Sequence, residues 1–219
     1  MTRVWKVIFL LMAKAVVWLL LGLRIQHRQR LPRSGPAILV ANHNSHLDTF
    51  VILSLFPLSM AHRLRPVANE EYFLKQSCWL AWFSRHVLDI IPVSCEPEES
   101  RSHRASCGYR TFLRSCAAAL AQNQILILYP EGSRGKPEHL GEFRSGIAHL
   151  AKQHPEVPIV PIFLQGLGKA LPKGERLLVP FLCWTYIGEP LYWSGQKKAF
   201  LEQLTAHIQA LSTEKKLLT

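Results

Sequence analysis

The chain has 219 residues, 48% of them hydrophobic, and its 26 Lys and Arg against 15 Asp and Glu give a net charge of +11. That length and apolar content suit one sizeable α/β domain with a short accessory segment, and they exclude a globally disordered chain. The positive balance calls for an anionic partner. Zinc-finger, RNA-recognition and leucine-zipper patterns are missing and the basic residues are scattered between apolar runs, which favours anionic lipid over nucleic acid.

The first thirty residues stand apart. Residues 7–13 and 15–23 are apolar runs interrupted by Lys14, with Arg3 and Lys6 before them and Arg24, Arg28, Arg30 and Arg33 after. As one helix, residues 7–23 would be about 25 Å long, marginal for a membrane span. The basic flank that follows biases that side to the cytoplasm. Three readings stay open: a helix lying in the membrane plane, a single span with Lys14 snorkelling, and an ordinary core helix. No A-x-A cleavage site follows the run, which argues against a signal peptide. The expected division is an N-terminal apolar membrane-anchoring helix over 1–30 and a folded domain over 31–219. The expected location is membrane-associated, on the cytoplasmic face of the inner (plasma) membrane.

A turn cluster at 32–36 (PRSGP) opens the domain. Residues 37–41 (AILVA) predict a short buried strand, 45–55 a helix, 65–68 a second strand, 72–84 a helix and 88–93 a strand. Tyr109, Leu113, Cys116 and Leu120 recur at helical spacing and predict an amphipathic helix over 102–122. Residues 125–129 (ILILY) read as a fully buried strand, followed by a polar loop over 130–141, a helix over 145–152 and a strand over 157–164. One or two strands over 177–186 and an amphipathic helix over 197–211 complete the pattern. Strands alternating with helices imply a mixed, mostly parallel sheet covered on both faces. Five cysteines (Cys78, Cys95, Cys107, Cys116 and Cys183) form no C-x-x-C pair and read as reduced thiols.

Two segments carry chemistry. Asn42-His43-Asn44-Ser45-His46-Leu47-Asp48 follows directly on a buried strand, where α/β sheets place ligands. On one continuous helix His43 and Asp48 would lie about 140° apart and would not meet. They meet only if a helix begins between them, and Ser-x-x-Asp supplies that start, with Ser45 as N-cap and Asp48 at the third helical position. His43 then folds back from the incoming turn toward Asp48. A carboxylate beside an imidazole fixes its tautomer and leaves the other nitrogen as a general base. That base can take a proton from a hydroxyl, which then attacks a thioester: the histidine–carboxylate half of a triad, with the substrate's own alcohol as nucleophile. Two alternatives stand beside this. Asp48 can be only a cap residue, and His46, two residues from Asp48, can be the active imidazole.

The second segment, Tyr129-Pro130-Glu131-Gly132-Ser133-Arg134-Gly135, also follows a buried strand. Arg134 suits bidentate phosphate recognition, and Gly132 and Gly135 let backbone N–H groups approach an anion. A solvated loop with an internal Glu131–Arg134 pair is the plainer reading. Phe143-Arg144-Ser145-Gly146 opens the next helix as a further anion site.

Together these blocks resemble the glycerolipid acyltransferase family, which includes bacterial 1-acylglycerol-3-phosphate acyltransferases. Residues 42–48 look like its N-H-x-S-x-x-D block, with His43 and Asp48 at the H-x-x-x-x-D positions. Residues 129–135 look like its F-P-E-G-T-R-S block, with Tyr for Phe, Ser for Thr and Gly for the last Ser. Residues 143–146 are similar to its F-K-x-G element, and 157–162 to its proline-marked strand. The resemblance implies a seven-stranded sheet flanked by helices, and residues 31–219 as an acyltransferase domain. It implies His43 as general base, Asp48 as its orienting partner, and Asn42 and Ser45 as supports. It further implies Glu131, Gly132, Ser133, Arg134 and Arg144 as the site for a phosphate-bearing acceptor.

The implied partners are membrane phospholipid, a lyso-lipid acceptor, and acyl-CoA or acyl-carrier protein as co-substrate. No cofactor and no nucleic acid are implied, and oligomeric state is not addressed. The implied reaction moves a fatty acyl group from the thioester to a lysophospholipid hydroxyl, with 1-acylglycerol-3-phosphate as the default acceptor. One stretch departs from the pattern. The family often has an Asp-Arg or similar basic element after the strand matching 88–93, where this chain has Ser94 and Cys95 followed by Glu96, Glu98 and Glu99. Arg101 or Arg104 would have to supply the charge, so another lyso-lipid acceptor stays open.

Two other functions compete: a catalytically silent lipid-binding protein of the same fold, and a thioester hydrolase. The hydrolase lacks a G-x-S-x-G elbow, which makes Ser133 a poor nucleophile. A metal site at His43 and His46 lacks a third ligand.

Overall fold

The computed structural model describes residues 2–45, 47–69, 88–93, 103–132, 140–170 and 181–214. Its elements are α1 (Thr2–Leu20), β1 (Arg24–Gln26), a 3-10 turn (Arg28–Arg30), β2 (Ala37–Ala41), α2 (Leu47–Ser54) and a second 3-10 turn (Leu58–Arg63). β3 (Leu64–Asn69), β4 (Ile91–Val93), α3 (His103–Ala121), β5 (Ile125–Leu128) and α4 (Gly146–Gln153) follow. β6 (Ile159–Gln165), α5 (Leu167–Ala170), β7 (Trp184–Ile187) and α6 (Lys197–Thr213) complete the order. The seven strands form one sheet in the order β1-β7-β6-β2-β5-β3-β4. β6, β2, β5, β3 and β4 are mutually parallel; β7 runs antiparallel to β6, and β1 follows β7. The sheet is therefore mixed and mostly parallel, as the alternation of elements predicts.

The apolar runs of β2 and β5 have a simple cause: both faces of each strand are covered. Ala37, Leu39, Ala41, Ile125 and Ile127 pack on the side of α1 and α2. Ile38, Val40, Leu126 and Leu128 pack on the side of α3, α4 and α6. Each such large side chain contributes about 1.5–3 kcal/mol by leaving water.

α1 is the structural answer to the first apolar run. Its inner face seats Leu10, Ala13, Val17 and, just past its end, Leu21 on the core. Its two described lysines also turn inward. Lys6 donates to the Leu64 carbonyl at 2.7 Å, and Lys14 to the Ser54 carbonyl at 2.6 Å. Burial pulls the Lys6 ammonium down to about 8, with Asp89 opposing the shift. The opposite face exposes Trp5, Ile8, Leu11, Met12, Trp18 and Leu19. Among the described residues no helix is long and apolar enough to cross a membrane.

Several boundaries differ from expectation. β1 lies in the stretch assigned to the N-terminal segment, where it pairs with β7 through Arg24↔Trp184 and Gln26↔Tyr186. Three residues are too few to show a period of two in sequence. Arg28 and Arg30, read as a membrane-flanking cluster, donate to the carbonyls of Leu55 (3.1 Å) and Ile187 (3.0 Å). β4 begins at Ile91, later than expected, because Asp89 takes a left-handed turn (φ 54°) that a strand cannot contain. The helix expected over 72–84, Ser94, Cys95 and residues 177–180 of the strand region expected over 177–186 lie outside the described residues; the rest of that region holds most of β7.

Candidate active site

The site is built where two neighbouring strands end level. β2 and β5 pair from Ala37↔Ile125 to Val40↔Leu128. The chain therefore leaves both strands side by side, and residues 42–45 lie next to residues 129–132. Asn42 manages the departure. Its side-chain amide donates to the Leu164 carbonyl at 2.9 Å and accepts from the Leu164 N–H at 2.7 Å. An asparagine side chain thus carries the β2–β6 ladder one step further while the backbone turns away.

α2 begins at Leu47, after the turn that brings His43 back over Asp48. Asp48 is fully buried, and its Oδ2 accepts from His43 Nδ1 (2.8 Å), Asn44 N–H (2.7 Å) and Ser45 N–H (2.9 Å). Three donors at a helix N-terminus offset the cost of burying that carboxylate. The Asp48-to-Ser45 bond is the half of a capping box in which the acidic residue reaches back. Ser45 Oγ accepts from the Leu47 N–H at 3.2 Å, so the serine caps one residue earlier than the four-residue signature implies. Because Nδ1 faces a carboxylate, its proton stays there, and Nε2 is the nitrogen left as acceptor.

The loop after β5 closes on this turn from the other side. The Tyr129 ring stacks on the His43 imidazole at 4.1 Å and 20°. Glu131 is buried, and its Oε1 accepts the His43 backbone N–H at 3.1 Å. Burial raises the Glu131 carboxyl above its ordinary range. The His43 and Gly141 amides hold it down in part. Gly132 has φ +74°, and a Cβ there would fall 2.5 Å from Arg144 Nε. The positive φ favours glycine, and a side chain there would also push Arg144 aside. Arg144 is tied by its own N–H to the Pro130 carbonyl at 2.8 Å and is exposed on the loop surface.

The structure thus brings His43, Asp48, Asn42, Ser45, Glu131, Gly132 and Arg144 together at one end of the sheet. His46, Ser133 and Arg134 lie outside the described residues. Among the described residues no group of three metal-ligating side chains is present.

Comparison with known proteins bears on this arrangement. The protein family described as Acyltransferase matches residues 22–165, well over half of the chain. This chain belongs to the Acyltransferase family. The matched stretch contains the His43–Asp48 turn, the Glu131 loop and Arg144, so the family core and the built site coincide. Relatives include "1-acyl-sn-glycerol-3-phosphate acyltransferase BAT2, chloroplastic" of Brassica napus, 28% identical over 78% of this chain and 45% of that protein. "1-acyl-sn-glycerol-3-phosphate acyltransferase alpha" of Homo sapiens is 27% identical over 80% of this chain and 58% of that one. This chain thus spans about half the length of these relatives. The crystal structure of the 1-acyl-sn-glycerophosphate acyltransferase PlsC from Thermotoga maritima superposes with a TM-score of 0.71. It covers 94% of this chain and 79% of that one, at 21% identity, a likeness of fold.

Two links in the site escape sequence reasoning. The Glu131–His43 bond joins residues 88 apart, and the Tyr129–Thr49 contact joins residues 80 apart. For the first, the sequence offered Glu131 a local partner in Arg134, so its only pointer was a Glu at the end of a buried strand. The first link also predicts an outcome. Glu131→Gln keeps an acceptor for the His43 N–H and removes a buried charge, so it should match or exceed the wild-type melting temperature near neutral pH. A carboxyl raised by folding costs stability once it ionises. The advantage should therefore grow as pH rises through the acidic range and vanish where both states are protonated. Thermal melts of the two proteins between about pH 4 and 7.5 check this.

Proposed function

We propose that this protein transfers a fatty acyl group from an acyl thioester, acyl-CoA or acyl-carrier protein, to the free hydroxyl of a lysophospholipid, with 1-acylglycerol-3-phosphate as the first acceptor to test. The observation that carries the reading is the 2.8 Å His43–Asp48 contact, which leaves Nε2 free at the mouth of the site. Nε2 takes the proton of the acceptor hydroxyl as its oxygen attacks the thioester carbonyl. The tetrahedral intermediate collapses, the C–S bond breaks, and the departing thiolate takes the proton back from the imidazolium. The products are an ester and a free thiol. The names of the relatives support the phosphate-bearing acceptor.

Arg144, packed against Gly132, is a described cation at hand for that phosphate, with Ser133 and Arg134 as further ligands. Glu131 takes a different part. An anion turned into the loop to hold His43 would repel a phosphate that touched it, so it braces the turn instead.

A membrane location fits α1. With Lys6 and Lys14 turned inward, its outer face offers lipid an apolar stripe without a described charge to desolvate. We infer a helix lying in the membrane plane, on the cytoplasmic leaflet, helped by the net charge of +11. Trp18→Glu with Leu19→Glu should weaken co-sedimentation with vesicles containing anionic phospholipid by about tenfold or more while leaving the melting temperature nearly unchanged. Vesicle binding as tight as wild type would refute the in-plane face.

The deciding assay measures thiol release from an acyl-CoA and from an acyl-carrier protein, with and without a panel of lyso-lipids. Release that depends on 1-acylglycerol-3-phosphate is expected. Equally fast release without acceptor would mean hydrolysis, and vesicle binding without turnover would mean a silent lipid-binding protein.

A further inference from the structure

One contact at the sheet end is used neither by the proton transfer nor by the acceptor site. Tyr129 stands where the acyltransferase pattern places Phe, and it adds a hydroxyl there. That hydroxyl lies 2.9 Å from Thr49 Oγ1. Thr49 follows Asp48 directly in the first turn of α2. The imidazole of His43 is therefore gripped twice from one helical turn. Asp48 Oδ2 holds its edge at 2.8 Å, and the Tyr129 ring, tied at its far end to the next residue, covers its face at 4.1 Å.

We propose that Tyr129 and Thr49 form a positioning pair that sets the tilt of the His43 imidazole and so aims Nε2 at the acceptor hydroxyl. The proposal rests on the reading of His43 as the base.

The physical case starts from what the Asp48 bond leaves loose. A single in-plane hydrogen bond fixes the place of Nδ1, but the ring can still rock about the Nδ1···Oδ2 line because the outer torsion of histidine is broad. A parallel ring in contact blocks that rocking. The outer torsion of an aromatic ring is equally broad, so an untethered phenyl could shift with the imidazole rather than restrain it. The hydroxyl tie removes that freedom by anchoring the ring to α2, the helix that also carries Asp48. Burial raises the phenol well above its ordinary range, and the Asp48 charge acts in the same direction, so the hydroxyl keeps its proton. Thr49 suits the task, since its branched side chain has few rotamers and the bond selects among them. Proton transfer is sensitive to such alignment, because small misplacements of the base cost rate without costing binding.

The test uses Tyr129→Phe, Thr49→Val, the double variant and Thr49→Ser, with kcat and KM measured for acyl-CoA and 1-acylglycerol-3-phosphate beside thermal melts. Tyr129→Phe and Thr49→Val should each lower kcat by about fivefold with KM nearly unchanged, the scale of one lost hydrogen bond. The double variant should be no worse than either single, because both break the same tie. Thr49→Ser, which keeps the hydroxyl, should recover most of the loss. Wild-type kcat in both singles would overturn the proposal. So would losses that add in the double variant or that fall on KM and melting temperature instead, since those mark independent packing roles. His43→Ala separates the two levels. An inactive His43→Ala beside a fully active Tyr129→Phe defeats the positioning pair alone. An active His43→Ala defeats the assignment of the base, and the pair with it.

Discussion

His43→Ala should abolish acyl transfer while leaving the fold in place. General-base removal costs on the order of a hundredfold to ten-thousandfold in rate, and the loss should appear in kcat rather than in KM, because His43 is assigned to the proton and not to the phosphate. The fold should tolerate the change for a specific reason. Asp48 Oδ2 keeps the Asn44 and Ser45 N–H donors when the imidazole is gone, so the buried carboxylate is not orphaned. The His43 backbone N–H to Glu131 also survives in alanine. A change in stability within about 1 kcal/mol is therefore expected, as for a partly buried side chain whose partners stay satisfied. The same assay on His46→Ala decides between the two imidazoles of this turn. Near-wild-type kcat there, with none at His43→Ala, assigns the base; the reverse result would move it to His46.

The His43–Asp48 turn is legible in the sequence because its logic is local. Five residues separate His43 from Asp48, and the one requirement for their meeting, a helix start between them, was written in Ser45. β2 and β5 were equally plain as unbroken apolar runs, since burial on both faces leaves no other composition for them. What stayed hidden depends on strand order. Nothing in residues 42–48 or 129–132 says that β2 and β5 are neighbours, so neither the Glu131 bond to His43 nor the stacking of Tyr129 could be read beforehand.

The N-terminal helix shows a different limit. Lys14 looked like a charge interrupting an apolar run, a cost for any lipid contact. The structure turns it inward onto the Ser54 carbonyl, so the run is amphipathic in an unusual sense, with its cations on the protein side. Hydropathy counts residues but cannot see which face a neighbour will occupy. Glu131 illustrates the same point for charge. Its place in the motif grouped it with the acceptor site, and only the fold shows that it is also buried with its Oε1 on the His43 N–H.

Asp48 should prove more costly to alter than His43, because it serves the base and the fold through one oxygen. Asp48→Asn preserves the size of the side chain but removes the charge that holds the Nδ1 proton. An amide that presents its NH2 to Nδ1 would force the proton onto Nε2, the nitrogen that must accept. Loss of rate by about a thousandfold to ten-thousandfold is expected, the scale seen when a histidine base is left in the wrong tautomer. Asp48→Ala should match that kinetic loss and add a structural one. The Asn44 and Ser45 N–H groups would lose their acceptor in a buried site, at about 1–3 kcal/mol each, and α2 would lose its acidic first-turn residue. The order of melting temperatures should then be wild type and His43→Ala together, Asp48→Asn below them, and Asp48→Ala lowest. An Asp48→Asn variant with wild-type kcat would show that the carboxylate only caps the helix. A stable but inactive Asp48→Ala would show that the backbone donors have found another partner. Only the predicted pattern, with kinetics shared by the two residues and stability divided between them, makes the start of α2 both a helix cap and the mount of the base.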